Sequence, residues 1–564
     1  ICSGPDLNVP SDIDFGTTAE DSELTGVPIG PNLGCDDRPL AHWRGDDEPD
    51  ADGSERHRSP LPDSSTCDVA QSFVCTTLPT RTHRKPKTDA KRGELSIKEA
   101  CSPEYLPLFL KGLDRELGEM DRRRFMAEEE AGAISELQQL HALGCRFVVT
   151  VKEDGTVKVR LVAKDLKCKR FVDTSESYAG VPSLKAFRLI LAARAGYHLS
   201  SADLITSYLQ ADDFADGEYI VLKYWHPIKE EWVYVKSRGY IYGCIPAGAA
   251  WQQTYREWML SIGFTECENA TSIYIHKARG TIVSTFVDDP AIWSKTKADE
   301  AWFHGELDER FDVKHHSYLT VETPLTYCGA RISMNEKGEV CLDNQAFIEK
   351  MLDEWDMVDC SPVRTPVTKG TLARLDEARR KEQFLGKEES TEFRSLLGML
   401  HWLAATTMPK MSVAHSVLAK YTANPVAGCM DALKQAVRFA SGCKWECLVM
   451  GTGDFTDLKL YSDSDWAGLH STTGDISSRS GGLITYGGVP VDWWSTKQLS
   501  IATSSGDAES RALSTAVQKG LQLQHIAQEL GIQTPEQLQT YCDAEAAIGF
   551  AKNKGGGSKM KHLD

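Results

Sequence analysis

Asp288 and Asp289 stand side by side behind an apolar, β-prone run, Thr281-Ile282-Val283-Ser284-Thr285-Phe286-Val287, on what reads as a hairpin turn. Adjacent carboxylates repel unless a cation sits between them, and a hard divalent ion with oxygen ligands is the usual partner. Asp203 closes another strand-like run, His198-Leu199-Ser200-Ser201-Ala202-Asp203. Three acids converging from neighbouring strands meet the demand of two Mg²⁺ ions, one to activate an attacking 3′-hydroxyl and one to hold a triphosphate. The chemistry is phosphoryl transfer, whose transition state gathers negative charge. A second set of acids follows downstream. Leu458-Lys459-Leu460-Tyr461-Ser462-Asp463-Ser464-Asp465 is a strand with two acids on one face, Glu509 opens a helix, and Asp543 ends the strand Leu538-Gln539-Thr540-Tyr541-Cys542.

The elements that must position these acids are readable from periodicity. Residues 146–152 and 157–163 flank Glu153-Asp154-Gly155, a hairpin signal. An apolar face of Leu184, Phe187, Leu191 and Ala195 predicts a helix over about 183–195. A helix over 248–262 leads into strands 272–276 and 281–287, which suits an α+β middle third. The stretch 345–450 is mostly helical, broken by Pro362, Pro366, Pro409 and Pro425. Strands at 458–462, 482–486 and 490–494, then helices at 507–530 and 544–552, read as a separate α/β domain.

At 564 residues several cores are expected. Residues 1–95, rich in Asp, Ser, Pro, Gly and Thr without a sustained period, read as a disordered linker. The 16 cysteines are scattered and read as reduced thiols; Cys443 and Cys447 lack a second pair for zinc. A net charge of −18 argues against a generally basic nucleic-acid binder, although local distribution decides. No signal peptide opens the chain and no apolar run reaches membrane-spanning length, so a protein without a membrane partner is expected. The start at Ile1 and stop at Asp564 suggest a piece of a longer polyprotein or a partial gene. His315-His316 read as surface residues, and Asp507 as a charge supporting a helix N-terminus.

Several blocks in order resemble the reverse transcriptase and ribonuclease H region of a copia-type LTR-retrotransposon Pol polyprotein. Val159-Arg160-Leu161-Val162-Ala163-Lys164 is similar to its "ARLVAK" block, and Ala202-Asp203-Leu204-Ile205-Thr206-Ser207-Tyr208-Leu209 to the segment with its first metal acid. Ile241-Tyr242-Gly243 with Ala250-Trp251 resembles "LYG…AW", and Phe286-Val287-Asp288-Asp289 resembles "YVDD". Downstream, the Asp463, Glu509 and Asp543 segments resemble "YSDADWAG", "SSTEAEY" and "YCDNQSAI", and Lys561-His562-Leu563-Asp564 resembles "TKHID".

The resemblance implies a right-hand α+β polymerase of palm, fingers and thumb, followed by an α/β ribonuclease H-like domain. Its boundaries would be 96–335 for fingers and palm, 336–452 for a mostly helical thumb and connection, and 453–564 for the ribonuclease H-like domain. It implies RNA-directed DNA polymerase activity with ribonuclease H, both using two Mg²⁺ ions, with Mn²⁺ as a substitute. Asp203, Asp288 and Asp289 would be the polymerase metal ligands; Asp463, Glu509 and Asp543, with Asp564 as a fourth catalytic acid, would serve the nuclease. Tyr208 would be the gate against a ribose 2′-hydroxyl, and Lys158, Arg160 and Lys164 would face the triphosphate and strand backbone. The implied partners are an RNA template, a DNA primer, dNTPs, an RNA–DNA hybrid and other retroelement proteins. The implied location is intracellular, in a cytoplasmic particle with a nuclear stage. One block departs: where the family keeps Lys-Gln-Ala-Pro-Arg, this chain has Ile245-Pro246-Ala247-Gly248-Ala249. Pro290 also follows the acid pair directly. Together with the acidic total, the 245–249 change favours a second reading, a relic that keeps the fold and at most binds nucleic acid.

Overall fold

The computed structural model describes residues 93–127, 132–152, 154–165, 178–451, 456–468 and 474–553. The expected linker therefore lies outside the described residues up to Arg92, but its last two residues do not behave as linker. Glu94–Leu95 is a short strand opposite Val149–Thr150, because Leu95 finds an apolar surface to cover.

The first sheet contains the expected hairpin, Leu143–Val151 with Val157–Ala163, Val151 standing opposite Val157. Strict alternation sends Val157, Val159, Leu161 and Ala163 inward and leaves Lys158 and Arg160 on the other face. Helix Leu106–Arg123 lays Phe109, Leu113 and Met120 against the inner face. Gly112 allows the approach, since a Cβ there would stand 2.8 Å from Val159 Cγ2. Strands Ile220–His226 and Glu231–Ser237 extend this sheet.

A six-stranded sheet follows in the order Val313–Tyr318, His198–Leu204, Asp289–Ser294, Thr281–Phe286, Ile273–His276, Thr265–Glu266. Period two divides its side chains between two cores. Leu199, Ile282, Ala291 and Trp293 pack with helix Leu184–Ala193, whereas Ala202, Val283 and Ile292 pack with helices Ala247–Ser261 and Lys297–Arg310. Four short strands, Leu325–Tyr327, Ala330–Met334, Val340–Asp343 and Leu448–Met450, form a third sheet. Between its last two strands, five α-helices from Gln345 to Gly442 close around their own apolar core.

The last sheet runs Val489–Lys497, Arg479–Tyr486, Leu458–Asp465, Gln539–Tyr541, only the final pair being parallel. Helix Ser505–Glu529 lies on it, and Gly520 permits the contact, its absent Cβ being 2.3 Å from Leu460 Cδ2. The apolar core of this sheet is continuous with that of helix Leu184–Ala193 and the six-stranded sheet. Arg188, 3% exposed, ties them: its guanidinium donates to the Val491 carbonyl at 2.8 Å and the Ala405 carbonyl at 2.7 Å, and stacks 4.0 Å over Trp493. No helix among the described residues is long and apolar enough to cross a membrane.

Candidate active site

Phe286 and Asp289 face each other in register, so Val287 and Asp288 are the two turn residues between the strands. Val287 has φ 56°, a region that a β-branched residue resists. The indole N–H of Trp251 donates to the Val287 carbonyl at 2.7 Å. Pairing with the Asp203 strand begins only at Ala291 opposite Ser201, the residue after Pro290, which has no N–H to extend the ladder. Asp203 and Asp289 thus sit on the open ends of adjacent strands.

Their charges act on one another. Burial, with Asp288 and Asp203 beside it, pushes the Asp289 carboxyl up to about 7. Burial also raises Asp288, against the pull of Arg160 and Lys158. A cation already sits at Asp203: the Lys314 ammonium is 2.7 Å from Oδ2, and His315 Nδ1 is 3.7 Å from the same atom. An oxygen-only donor set, crowded with like charge and accepting an ammonium, suits a hard divalent ion. The three acids do not converge on a single point within 4.8 Å, the spacing that among the described residues only Glu509, Cys542 and Asp543 reach.

Arg160 and Lys158 reach toward the turn from the first sheet, and burial beside Arg160 lowers the Lys158 ammonium. The Arg160 guanidinium lies 4.7 Å over the Tyr242 ring, which in turn packs 5.5 Å from Tyr208. Beneath them Glu116 accepts the Leu161 N–H at 2.7 Å, and burial pushes its carboxyl up to about 7. Lys164 lies exposed just past the strand end. Tyr208 is in a short 3₁₀ turn, Ser207–Gln210, fastened from below by buried Arg124, which donates to the carbonyls of Ala211 at 2.6 Å and Tyr208 at 3.3 Å. The substituted segment forms the start of helix Ala247–Ser261, where a Cβ on Gly248 would be 3.9 Å from Tyr208 Oη.

The second group of acids is on the last sheet. Glu509 Oε1 accepts the Ser464 N–H at 3.2 Å, while its Oε2 is buried with no hydrogen-bond partner. Burial pushes Glu509 up to about 7, with Asp463 and Asp543 adding to the rise. Asp463 is raised by burial and then by Asp543. The orphaned oxygen and the nearby Asp543 carboxylate fit a cation, whereas Asp463, expected as a third ligand, stands outside the group whose ligand atoms lie within 4.8 Å of one another. Cys542 joins the cluster, but burial raises its thiol, and a protonated sulfur is a poor ligand for a hard ion. Asp465 faces Arg479 instead. Asp507 is 1% exposed and accepts from Arg511 Nε at 2.6 Å and from the Thr503 N–H at 2.9 Å, so it ties down the first helical turn as well as charging it. Asp564 and His562 lie outside the described residues.

Residues 133–369 match the family described as "Reverse transcriptase (RNA-dependent DNA polymerase)". The retrovirus-related Pol polyprotein from transposon RE1 of Arabidopsis thaliana is 28% identical over 438 residues, covering 75% of this chain and 28% of that protein. The polyprotein from transposon TNT 1-94 of Nicotiana tabacum is 26% identical over 435 residues, covering 75% of this chain and 32% of that protein. These matches support a copia-type retrotransposon reverse transcriptase region. The chain spans about 28% of the length of the transposon RE1 and RE2 polyproteins. A solved foamy viral protease-reverse transcriptase in complex with dsDNA aligns at 13% identity and TM-score 0.40, covering 74% of each chain, too loosely to carry an argument.

Around these acids stand residues that sequence reasoning missed. Trp251, noted above only as part of a resembling block, and Arg124 touch the turn and the Tyr208 segment by hydrogen bonds that no motif spacing announces. Lys314 and His315 reach Asp203 because Val313–Tyr318 is its neighbouring strand, with His315 in register with Asp203. His315 is exposed, as expected of a surface residue, but His316 is half-buried: its Nε2 is 2.9 Å from Asp308 Oδ1, and its ring is 4.2 Å from that of buried His304.

Proposed function

We propose that the chain is an RNA-directed DNA polymerase acting at Asp203, Asp288 and Asp289, joined to a ribonuclease H acting at Asp463, Glu509 and Asp543. The observation that carries the first half is the placing of Asp288 and Asp289 on a hairpin turn beside the end of the Asp203 strand, where burial raises both carboxyls, opposite Arg160 and Lys158. Divalent cations bound at each group, Mg²⁺ by preference, would supply the charge neutralisation that phosphoryl transfer needs. Arg160 and Lys158 would orient the triphosphate of a dNTP, and Tyr208, backed by Tyr242, would exclude a ribose 2′-hydroxyl. The match of residues 133–369 to the reverse transcriptase family and the similarity to retrotransposon Pol polyproteins support this reading, with an RNA template and DNA primer as substrates. At the second group, Asp463, Glu509 and Asp543 would hold the cations that activate water against a phosphodiester of the RNA strand in an RNA–DNA hybrid. The domain boundaries near 335/336 and 452/453, the other retroelement proteins as partners and the intracellular particle belong to the same proposal.

Primer extension on an RNA template with Mg²⁺ tests the polymerase: extension by the parent that is lost in Asp288→Asn supports it, and extension that survives the change refutes it. Cleavage of a labelled hybrid should likewise vanish in Asp543→Asn. The second reading, an impaired relic, draws support from the small apolar residues 245–249 beside Tyr208. Recovery of activity on placing Gln at position 246 would favour it, whereas an already active parent excludes it.

A further inference from the structure

We infer that Trp251 is a positioning residue for the Asp288–Asp289 turn, its indole N–H fixing the peptide that aims Asp288. The catalytic consequence rests on the polymerase reading above; the structural part does not. A two-residue hairpin whose first turn residue has positive φ is the geometry that favours glycine at that place. Here the place is held by Val287 at φ 56°, with a branched side chain that gains from leaving it. The carbonyl of Val287 belongs to the peptide joining it to Asp288. Turning that peptide changes ψ of Val287 and φ of Asp288 together, so whatever grips the carbonyl decides where the Asp288 carboxylate points.

The grip is the Trp251 indole, at 2.7 Å. Its direction is set elsewhere: the ring is 2% exposed and wedged between Phe311, 5.2 Å away, and Tyr255, 5.8 Å away. The Val287 side chain packs on the same apolar cluster. A hydrogen bond shielded from water in this way holds its geometry more firmly than one at the surface. Helix Ala247–Ser261 thereby imposes on the turn a conformation that the turn's own residue opposes.

A double-mutant cycle tests this. Trp251→Phe keeps an aromatic ring and removes the donor; Val287→Gly removes the resistance that makes the donor necessary. In metal-free protein, amide exchange of a peptide covering 284–292 should quicken about tenfold in Trp251→Phe, the worth of one hydrogen bond. In the Val287→Gly background the same change should alter exchange by less than about threefold. Equal effects in the two backgrounds overturn the inference. In primer extension, Trp251→Phe should lower kcat about tenfold with KM for the dNTP within about twofold, and Val287→Gly should restore most of it. A loss in KM alone overturns the inference as well. Where the Phe variant does not fold, benzothienylalanine at position 251 keeps the bicyclic shape and loses only the donor. If the parent extends no primer, the polymerase reading fails, and the exchange cycle still decides the role of Trp251.

Discussion

Arg188→Met should be among the most damaging single changes far from either group of acids. The guanidinium donates to three carbonyls, Val491 at 2.8 Å, Ala405 at 2.7 Å and Thr406 at 3.2 Å, and lies 3.9 Å from Asp492, itself 4% exposed. Methionine fills most of the volume but strands the Asp492 carboxylate and the carbonyls away from water. Breaking a buried ion pair from one side costs about 3 to 5 kcal/mol, because the remaining charge keeps its desolvation penalty. The loss of stacking on Trp493 adds roughly 1 kcal/mol. In a chain of this size that corresponds to a fall in Tm of roughly 5 °C. Differential scanning calorimetry of parent, Arg188→Met and Arg188→Met/Asp492→Asn measures it. The double variant should recover about half of the loss, since no charge is left unpaired. A single variant melting within about 1 °C of the parent, or a double variant no better than the single, refutes the reasoning.

Glu509 carries a pH prediction. Its folded-state value of about 7 lies above the ordinary 4.5, so the protonated form stabilises the metal-free fold fully below about 4.5 and that contribution disappears as pH rises through 7. The loss is on the order of 3 kcal/mol, and Glu509→Gln should flatten that part of a Tm-against-pH curve recorded in EDTA. Lys314→Met, which vacates the cation at Asp203, should lower the Mg²⁺ concentration for half-maximal primer extension by up to about fivefold, in line with an exposed ion pair. Arg124→Met unfastens the carbonyls of Tyr208 and Ala211; the selectivity for dNTP over rNTP should fall by on the order of tenfold, read from the two kcat/KM values.

β-prone strands were legible in advance, whether alternating as in 157–163 or buried on both faces as in 281–286, and so were the acids that end two of them. The 157–163 strand, the 198–204 strand and the 281–286 hairpin arm fall within a residue or two of their expected bounds. Short runs of β-prone residues ending in acids mark such strands even where, as for 198–204 and 281–286, both faces are buried and the partners lie far along the chain. Less legible were partners brought together over long separations. Trp251 meets Val287 and Arg188 meets Val491 through contacts that depend on the whole fold. Strand Val313–Tyr318 was missed because the consecutive polar residues Lys314, His315 and His316, with an irregularity in the pairing after Val313, leave no apolar period. The reading of the last third as a separate domain followed element order, which carries no information about a core shared across 300 residues of chain separation, such as Arg188 to Val491.

That shared core bears on how the protein can be handled. Helix Leu184–Ala193 has eight of its ten residues buried, some against the six-stranded sheet and some against the C-terminal one. A fragment ending at residue 452 would uncover that second surface and leave the Arg188 guanidinium facing water without its Val491 carbonyl. Such a fragment is expected to self-associate through the exposed apolar strip. The helix thus makes the upstream half a poor candidate for separate expression.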